Sequence, residues 1–476
     1  MNRADLIALS PLLAMALAPI AVMLSIAARR RHTTCVGLSF LSILVALFCV
    51  SRAFTVVPRQ VGPLIVIDAF GLFYATLILG ITGIVLILGL AYVAHRESHP
   101  EEYYVLLLLA AAGACVMPFT THFASFFLGL EVMSISQYGL VAYIRKDRRG
   151  TEAAVKYLVL SSASAAFLLF GMALIYAEMG TMRMDALAHV SPDQLENKVL
   201  LLGAAMMLAS VGFKLSIVPF HLWTPDVYEG APIPVTAFAA TVSKIAMLAV
   251  FVRYFTIENA PMTQALSGVV TVAAAASMIG GNILALLQDN VKRLLAYSSI
   301  AHMGYLAIAF LSGGDVTSDG VGFYLVAYCA ATLGAFGAMM TLSAGMRHDQ
   351  DAERFDDYRG LYWTHPTIAV VLAISLLSLA GIPLTAGFIG KFYIVLSGAQ
   401  SGHWALLVIL ALSSVIGVYY YLRLLVGLFV KPGTETGPVQ PLGLRPKVVL
   451  LLLAAMTLIM GVYPAPIIAF IHSFGT

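Results

Sequence analysis

The sequence predicts an all-α polytopic membrane protein with about fourteen transmembrane helices. Three observations carry that expectation. Of the 476 residues, 60% are hydrophobic and only 11% are charged. The mean hydropathy is +0.92, outside the range of soluble globular chains. Apolar runs recur at roughly the 20 residues that cross a bilayer as a helix. The runs are 4–28, 35–54 and 66–94, which form an N-terminal three-helix segment over 1–102. A group of five follows within 103–255, at 103–120, 122–143, 153–178, 198–219 and 234–255. A second five lies within 264–430, at 264–287, 293–312, 319–344, 366–399 and 403–430, and a C-terminal helix, 446–471, lies within 446–476. The first run is not a cleavable signal peptide: its apolar core is too long, and Arg29, Arg30 and Arg31 follow it.

Charged residues fall at the ends of these runs and orient them. With residue 1 outside, the inner loops carry Arg29, Arg30, Arg31, Arg96, Arg145, Lys146, Arg148, Arg149, Lys292, Arg293, Arg347, Arg354, Arg359, Lys431, Arg445 and Lys447. The outer loops and helix ends carry only Arg3, Arg52, Arg59, Arg183, Lys198 and Arg253. Cytoplasmic loops are enriched in Lys and Arg, so both termini are expected on the outer face. The longest polar stretch, 345–366, reads most simply as a solvated inner loop, with a docking surface for a partner as the alternative. A net charge of +3 is too small to suggest a nucleic-acid partner. Cys35, Cys49, Cys115 and Cys329 are scattered without paired spacing, which argues against a disulfide framework, a zinc site or an iron–sulfur site.

Five basic residues and one acid lie inside the runs: Lys156, Lys214, Lys244, Lys391, Arg423 and Glu131. One charge at the centre of a membrane helix costs roughly 2.5–3.5 kcal/mol even on lenient insertion scales, so repeated charges point to a path for ions or protons. Arg423 lies near the inner end of its run and Lys156 near the inner start of its own, where both can snorkel to the interface; Lys156 is also a possible member of a path. Glu131 and Lys244 are about ten residues from a helix end, roughly 15 Å, and cannot snorkel cheaply.

Lys214 and Lys391 lie beside expected helix breaks. In SVGFKLSIVPFHLWTPDVYEGAPIPVTAF, Lys214 precedes Pro219, Pro225, Pro232 and Pro234; in SLAGIPLTAGFIGKFYIV, Lys391 follows Gly381, Pro383, Gly387 and Gly390. Proline removes a backbone donor and clashes with the preceding turn. Open backbone at membrane depth survives only where it is buried in protein or lines a wet cavity. A kinked packing helix with an incidental lysine explains one such segment and struggles with two. In each group of five the fourth member is broken and carries the lysine. Five is odd, so the second group starts from the opposite side and the repeats are inverted, a plan shared with secondary transporters.

Three mid-membrane lysines face one glutamate, and a low-dielectric interior does not hold all of them charged. A lysine whose protonation depends on a movable partner is a proton carrier. His302, between the two broken helices in sequence, either bridges two such lysines as a shuttle or is a satisfied packing group. His221 and Tyr228, near the first break, are weaker candidates.

At these residues, SVGFKLSIVPFHLWTPDVYEGAPIPVTAF, NILALLQDNVKRLLAYSSIAHMGYL and LAGIPLTAGFIGKFY resemble the antiporter-like membrane subunits of respiratory complex I, over about residues 65–430. A lysine in the second broken helix and no further helices after the fourteenth run favour the subunit N branch, counterpart of mitochondrial NADH dehydrogenase subunit 2. The resemblance implies that Glu131 and Lys214 interact, that Lys244 connects, and that Lys391 is the terminal proton carrier. Leu384 stands where relatives often carry a second proline, which predicts a milder break there.

The resemblance implies a proton-translocating subunit of NADH–quinone oxidoreductase in a bacterial inner (plasma) membrane. By it this chain binds no cofactor or metal, and NADH, FMN, iron–sulfur clusters and quinone belong to the partner subunits of a hetero-oligomer. A subunit of a multi-subunit cation/proton antiporter is the alternative with the same fold, and a non-pumping scaffold the alternative of another class.

Overall fold

The computed structural model describes residues 2–475 apart from 98, 192, 193, 195, 256–260, 314, 347–350 and 432–442. The chain is helical almost throughout. In order come α1 (Arg3–Ala28), α2 (His32–Ala53), α3 (Ala69–Arg96), α4 (Glu101–Val116), α5 (Phe123–Val141), α6 (Arg148–Met179), α7 (Lys198–Leu215), α8 (Trp223–Gly230) and α9 (Ile233–Phe255). They are followed by α10 (Pro261–Leu286), α11 (Val291–Ser312), α12 (Asp315–Ala344), α13 (Pro366–Ala380), α14 (Ala386–Gln400), α15 (Trp404–Phe429), α16 (Leu444–Val462) and α17 (Ala465–Gly475). Among the described residues, 13 helices are long and apolar enough to cross a membrane. The pair α13 and α14, each 15 residues long, supplies a fourteenth crossing in two halves.

Burial sorts the helices into an inner row and a lipid-facing rim. The whole apolar window of α9 is buried, and α11 and α12 are mostly buried, whereas α1, α2, α6 and α10 expose much of their apolar surface. Exposed Leu24, Phe48, Val159 and Val272 are typical of that rim. In a bilayer such faces meet acyl chains, so apolarity carries no information about which face is inside. The polar residues carry it.

Both expected breaks are present, and each ends a helix outright. α7 stops at Leu215, directly before the left-handed residue Ser216 (φ 64), and the chain turns through 217–222 before α8 begins. Trp223 Nε1 donates to the Phe213 carbonyl (2.8 Å), satisfying one of the acceptors the break leaves open. α13 stops before Gly381, whose φ of +81 suits a residue without a Cβ. Leu384 is itself left-handed (φ 71), so the second break is complete without a second proline, and the milder break expected there is corrected. The half-helices then cross closely: a Cβ on Gly387 would overlap the Ser378 carbonyl oxygen. No side-chain shift relieves a clash with backbone. Gly387→Ala should therefore force α13 and α14 apart and abolish accumulation of the folded protein in membranes; wild-type accumulation would show that the crossing is looser than this.

Three other features depart from the run-by-run expectation. Residues 59–61 and 65–67 form a small antiparallel hairpin, β1 and β2, in the connection between the second and third runs. Pro58, Pro63 and left-handed Gly62 stop the second helix from running on. The helix of the fourteenth run ends at Val462, because Pro464 and Pro466 break it before α17. The 345–366 segment is solvated only in part where it is described: Arg354, Asp356, Arg359 and Trp363 are exposed, while other residues tie it to the bundle, and Arg347 lies outside the described residues. Asp351 accepts from Arg96 and from Tyr92 (2.8 Å) of α3 and from Lys292 (3.0 Å) of α11, and Tyr358 is fully buried. Burial opposes ionisation of Asp351, but Lys292, Arg96 and the Tyr92 hydrogen bond outweigh it and hold the carboxyl below the ordinary aspartate range.

These ion pairs mark one face of the bundle, joined there by Arg293 with Asp226 (3.0 Å) and Glu229 (2.7 Å) and by Arg423 with Asp289 (2.6 Å). The two chain ends lie on the other face: Asp5 pairs with Arg59 (2.8 Å), and Phe474 packs against Phe54 with ring centroids 5.2 Å apart.

Candidate functional site

The two broken-helix lysines occupy matching electrostatic positions. Lys214 lies in the last turn of α7. Lys391 reaches back from α14 and donates from Nζ to the carbonyl of Ala380, the last residue of α13 (2.9 Å). Each thus sits at the C-terminal end of a half-helix, where unsatisfied carbonyls favour a cation.

Lys214 is buried and donates to Ser134 Oγ of α5 (2.7 Å) and Ser161 Oγ of α6 (2.9 Å). The Ser134 hydroxyl itself donates to the Leu130 carbonyl, which leaves its lone pairs for the ammonium. The Tyr157 ring lies 5.2 Å from Lys214 Nζ. Glu131 precedes Ser134 by one turn on α5 and is close enough to Lys214 to interact electrostatically. Among the described residues it makes no ion pair, and its Oε1 is buried without a hydrogen bond. The expected partners are therefore neighbours held apart, with serine hydroxyls on the lysine.

Lys244 stands at the centre of α9, with eleven residues of the helix on either side, and is 1% exposed. It donates to Ser299 of α11, whose hydroxyl bonds the Tyr328 hydroxyl of α12 (2.6 Å). A second contact ties this centre to Lys214. The Gln137 amide of α5 donates to Ser243, next to Lys244, and its oxygen accepts from Tyr157 (2.9 Å), the ring beside Lys214.

His302 of α11 is buried between the remaining groups. Nδ1 bonds the Tyr324 hydroxyl and Nε2 the Tyr421 hydroxyl (3.5 Å). It is near enough to both Lys244 and Lys391 to interact with their charges. A cavity of ≈ 10 Å³, about the room one water needs, is lined by His302, Tyr324, Tyr328, Ser378 and Gly387 beside the second break. Lys391 Nζ lies 5.1 Å from the centre of the Tyr305 ring, and the Tyr305 hydroxyl accepts from Asn282 (3.0 Å).

The structure thus brings Glu131, Lys214, Lys244, His302 and Lys391 into one polar row, with Lys214, Lys244 and His302 buried and Glu131 and Lys391 partly buried. It leaves out Lys156, whose side chain is 45% exposed and paired with Glu152 (2.8 Å) and Asp226 (2.9 Å) on the charged face. Arg423 is likewise an interfacial residue, lying over the Phe355 ring at 4.5 Å. His221 is half-buried beside the first break, with Nδ1 unbonded. Tyr228 is fully buried on α8. Sequence reasoning misses Gln137, Ser243, Ser299, Tyr324 and Tyr328. A mid-span amide carries a weaker form of the charge argument, a signal that points to Gln137 and Asn282. Serine and tyrosine are too frequent in these helices for the same signal to find the others.

The family described as NADH:quinone oxidoreductase/Mrp antiporter, transmembrane, matches residues 120–417, more than half of the chain. A protein of Ectopseudomonas mendocina named NADH-quinone oxidoreductase subunit N is 44% identical over 98% of this chain and 96% of its own length. A chain of respiratory complex I from Thermus thermophilus superposes with a TM-score of 0.83 at 30% identity, covering 96% of this chain and 98% of that one. A chain of the Mrp complex from Dietzia sp. shares the fold at a TM-score of 0.83 and 21% identity, over 100% of this chain and 97% of that one.

Proposed function

The chain belongs to the NADH:quinone oxidoreductase/Mrp antiporter family, in its subunit N branch, and on that premise we propose that it carries protons across the membrane as a subunit of NADH–quinone oxidoreductase. The observation that carries this reading is the row of buried and partly buried ionisable groups from Glu131 to Lys391, which spans both helix breaks and rests on hydroxyls and a half-helix carbonyl. A scaffold gains nothing from such a row, since each buried charge opposes insertion. The antiporter alternative is the weaker one: the Mrp chain is 21% identical, against 44% for the subunit N relative.

In this reading residues 103–255 and 264–430 are inverted repeats, each supplying one broken helix and its lysine. Electron transfer from NADH through FMN and iron–sulfur clusters to quinone takes place in partner subunits. The complex lies in a bacterial inner membrane. The face carrying the arginine and lysine pairs is cytoplasmic, and both termini are periplasmic.

Protons enter the row on the cytoplasmic side and load Lys214 and Lys244. The Glu131 carboxylate stabilises the charged form of Lys214; a displacement of that carboxylate releases the proton. Gln137 holds Tyr157 and Ser243 in fixed relation, so that the environments of the two lysines are linked. His302, bonded to two tyrosine hydroxyls, passes protons between Lys244 and Lys391, and Lys391 delivers them outward.

The test compares the lysine beside the first helix break with the one near the inner start of its run. In membranes with equal amounts of assembled complex, Lys214→Ala should reduce proton pumping by about tenfold or more, the effect of losing one buried charge interaction of about 1.4 kcal/mol. Lys156→Ala, which removes an exposed ion pair worth about 0–1 kcal/mol, should change it little. Equal loss in both variants would put Lys156 in the path and overturn the assignment by burial.

A further inference from the structure

Lys244 has hydrogen-bonded partners toward α11 and α12, but nothing assigned so far connects it with the cytoplasmic face. Between the two lies a cluster that the relay does not use. Lys292, in the first turn of α11, is 1% exposed although it lies outside every expected span. Its Nζ donates to the Ala231 carbonyl, between α8 and α9 (2.8 Å), and to Asp351 (3.0 Å), and lies 3.9 Å from Glu353. Arg96 and Tyr92 of α3 complete the coordination of Asp351, and Arg149 of α6 lies 3.5 Å from Glu353. Asn290 donates to Glu353 (3.0 Å), and Glu229 of α8 lies 3.4 Å from the same amide. Asp351 and Glu353 line a polar cleft of ≈ 610 Å³ that opens on this face, together with Arg96, Arg149 and Asp357.

Tyr228 is close to the Lys292 contact along the chain. It precedes Ala231, the acceptor of Lys292, by three residues, on α8. It is 0% exposed, and its hydroxyl lies beside Ser299, the partner of Lys244. Lys292 and Ser299 are seven residues apart on α11, about 10 Å at 1.5 Å per residue, and the Tyr228 hydroxyl stands at the Ser299 end of that interval.

We infer that Tyr228 is the hydroxyl through which Lys244 is loaded from the cytoplasmic cleft, with Glu353 as the collecting carboxylate and Lys292–Asp351 as the fixed charge pair beside the route. The inference rests on the proton-carrying reading above and adds its entry point. The proton balance is simple. Glu353 takes a proton from water in the cleft and gives it to a bridging water. That water protonates the Tyr228 oxygen as the phenol releases its own proton toward Ser299, and the Ser299 hydroxyl hands one on to the neutral Lys244 amine. Each intermediate group ends as it began, and one proton has moved. Burial raises the Glu353 carboxyl above the ordinary glutamate range despite Lys292, which suits a group that must bind a proton from the cytoplasm. Arg96, Lys292 and Arg149 counter the second carboxylate, so the cluster keeps its shape while Glu353 cycles.

The decisive variant is Tyr228→Phe in the assembled complex. It deletes one oxygen and keeps the buried ring, so packing and assembly should be unchanged. Pumping and coupled quinone reduction in inverted membrane vesicles should fall about tenfold or more, with an increased solvent deuterium isotope effect. Glu353→Gln should reproduce the loss, whereas Glu353→Asp should restore part of it. A merely structural role for Tyr228 predicts wild-type rate and isotope effect in Tyr228→Phe, and that result would overturn the inference. Lys391→Arg, measured in the same vesicles, separates the two levels. If it pumps normally, the proton-carrying reading itself fails; if it is inactive while Tyr228→Phe and Glu353→Gln are normal, only this entry route falls.

Discussion

Lys391→Arg should stop proton transfer through this subunit as completely as Lys391→Ala. Arginine keeps the positive charge at the C-terminal end of α13 and can still donate to the Ala380 carbonyl, so a purely structural lysine would tolerate it well. A guanidinium does not release its proton at any reachable pH (pKa above ~12), so a carrier at this position cannot be arginine. Lys391→His should retain part of the transfer, with its optimum moved to lower pH, because imidazole titrates about four units below lysine. A structural ion site predicts the reverse order, arginine best and histidine poor. Pumping measured against pH for the three variants decides between the two, and a fully active arginine variant rules out Lys391 as a carrier.

Glu131→Gln is expected to cut pumping by about tenfold or more without loss of the assembled complex, on the scale of one buried charge interaction. The substitution keeps the shape of a side chain whose Oε1 makes no hydrogen bond here, so little packing is lost. It removes the carboxylate from the neighbourhood of Lys214 and leaves that ammonium with the hydroxyls of Ser134 and Ser161 and the Tyr157 ring. Neutral hydroxyls compensate a buried charge poorly. Glu131→Asp retains the charge on a shorter stem and should be milder. Wild-type pumping per electron together with wild-type turnover in Glu131→Gln would remove Glu131 from the relay.

The fate of individual residues shows where sequence reasoning reaches. Counting from the ends of its apolar run puts Lys244 at mid-membrane, and it stands at the centre of α9. The breaks beside Lys214 and Lys391 are legible because proline and glycine act on their own backbone, within a turn. Lys156, near the inner start of its run, reads either as a snorkelling residue or as a member of the path. Asp226, 70 residues from Lys156, gives that lysine a surface partner.

Hydropathy, charge and backbone-breaking residues by themselves determined the helical membrane class, the positions of the crossings, both breaks and the set of residues too costly to be incidental. All of these are local properties of the chain in its solvent. Tertiary structure alone decided what each of those residues faces. Ser299 lies 55 residues from Lys244, Ser243 lies 106 from Gln137, and Asp351 lies 255 from Arg96. In a bilayer an apolar surface gains as much from acyl chains as from another helix, so hydropathy does not say which faces pack together. That choice is made by close crossings such as Gly387 against Ser378 and by polar groups that must find one another because lipid offers them nothing.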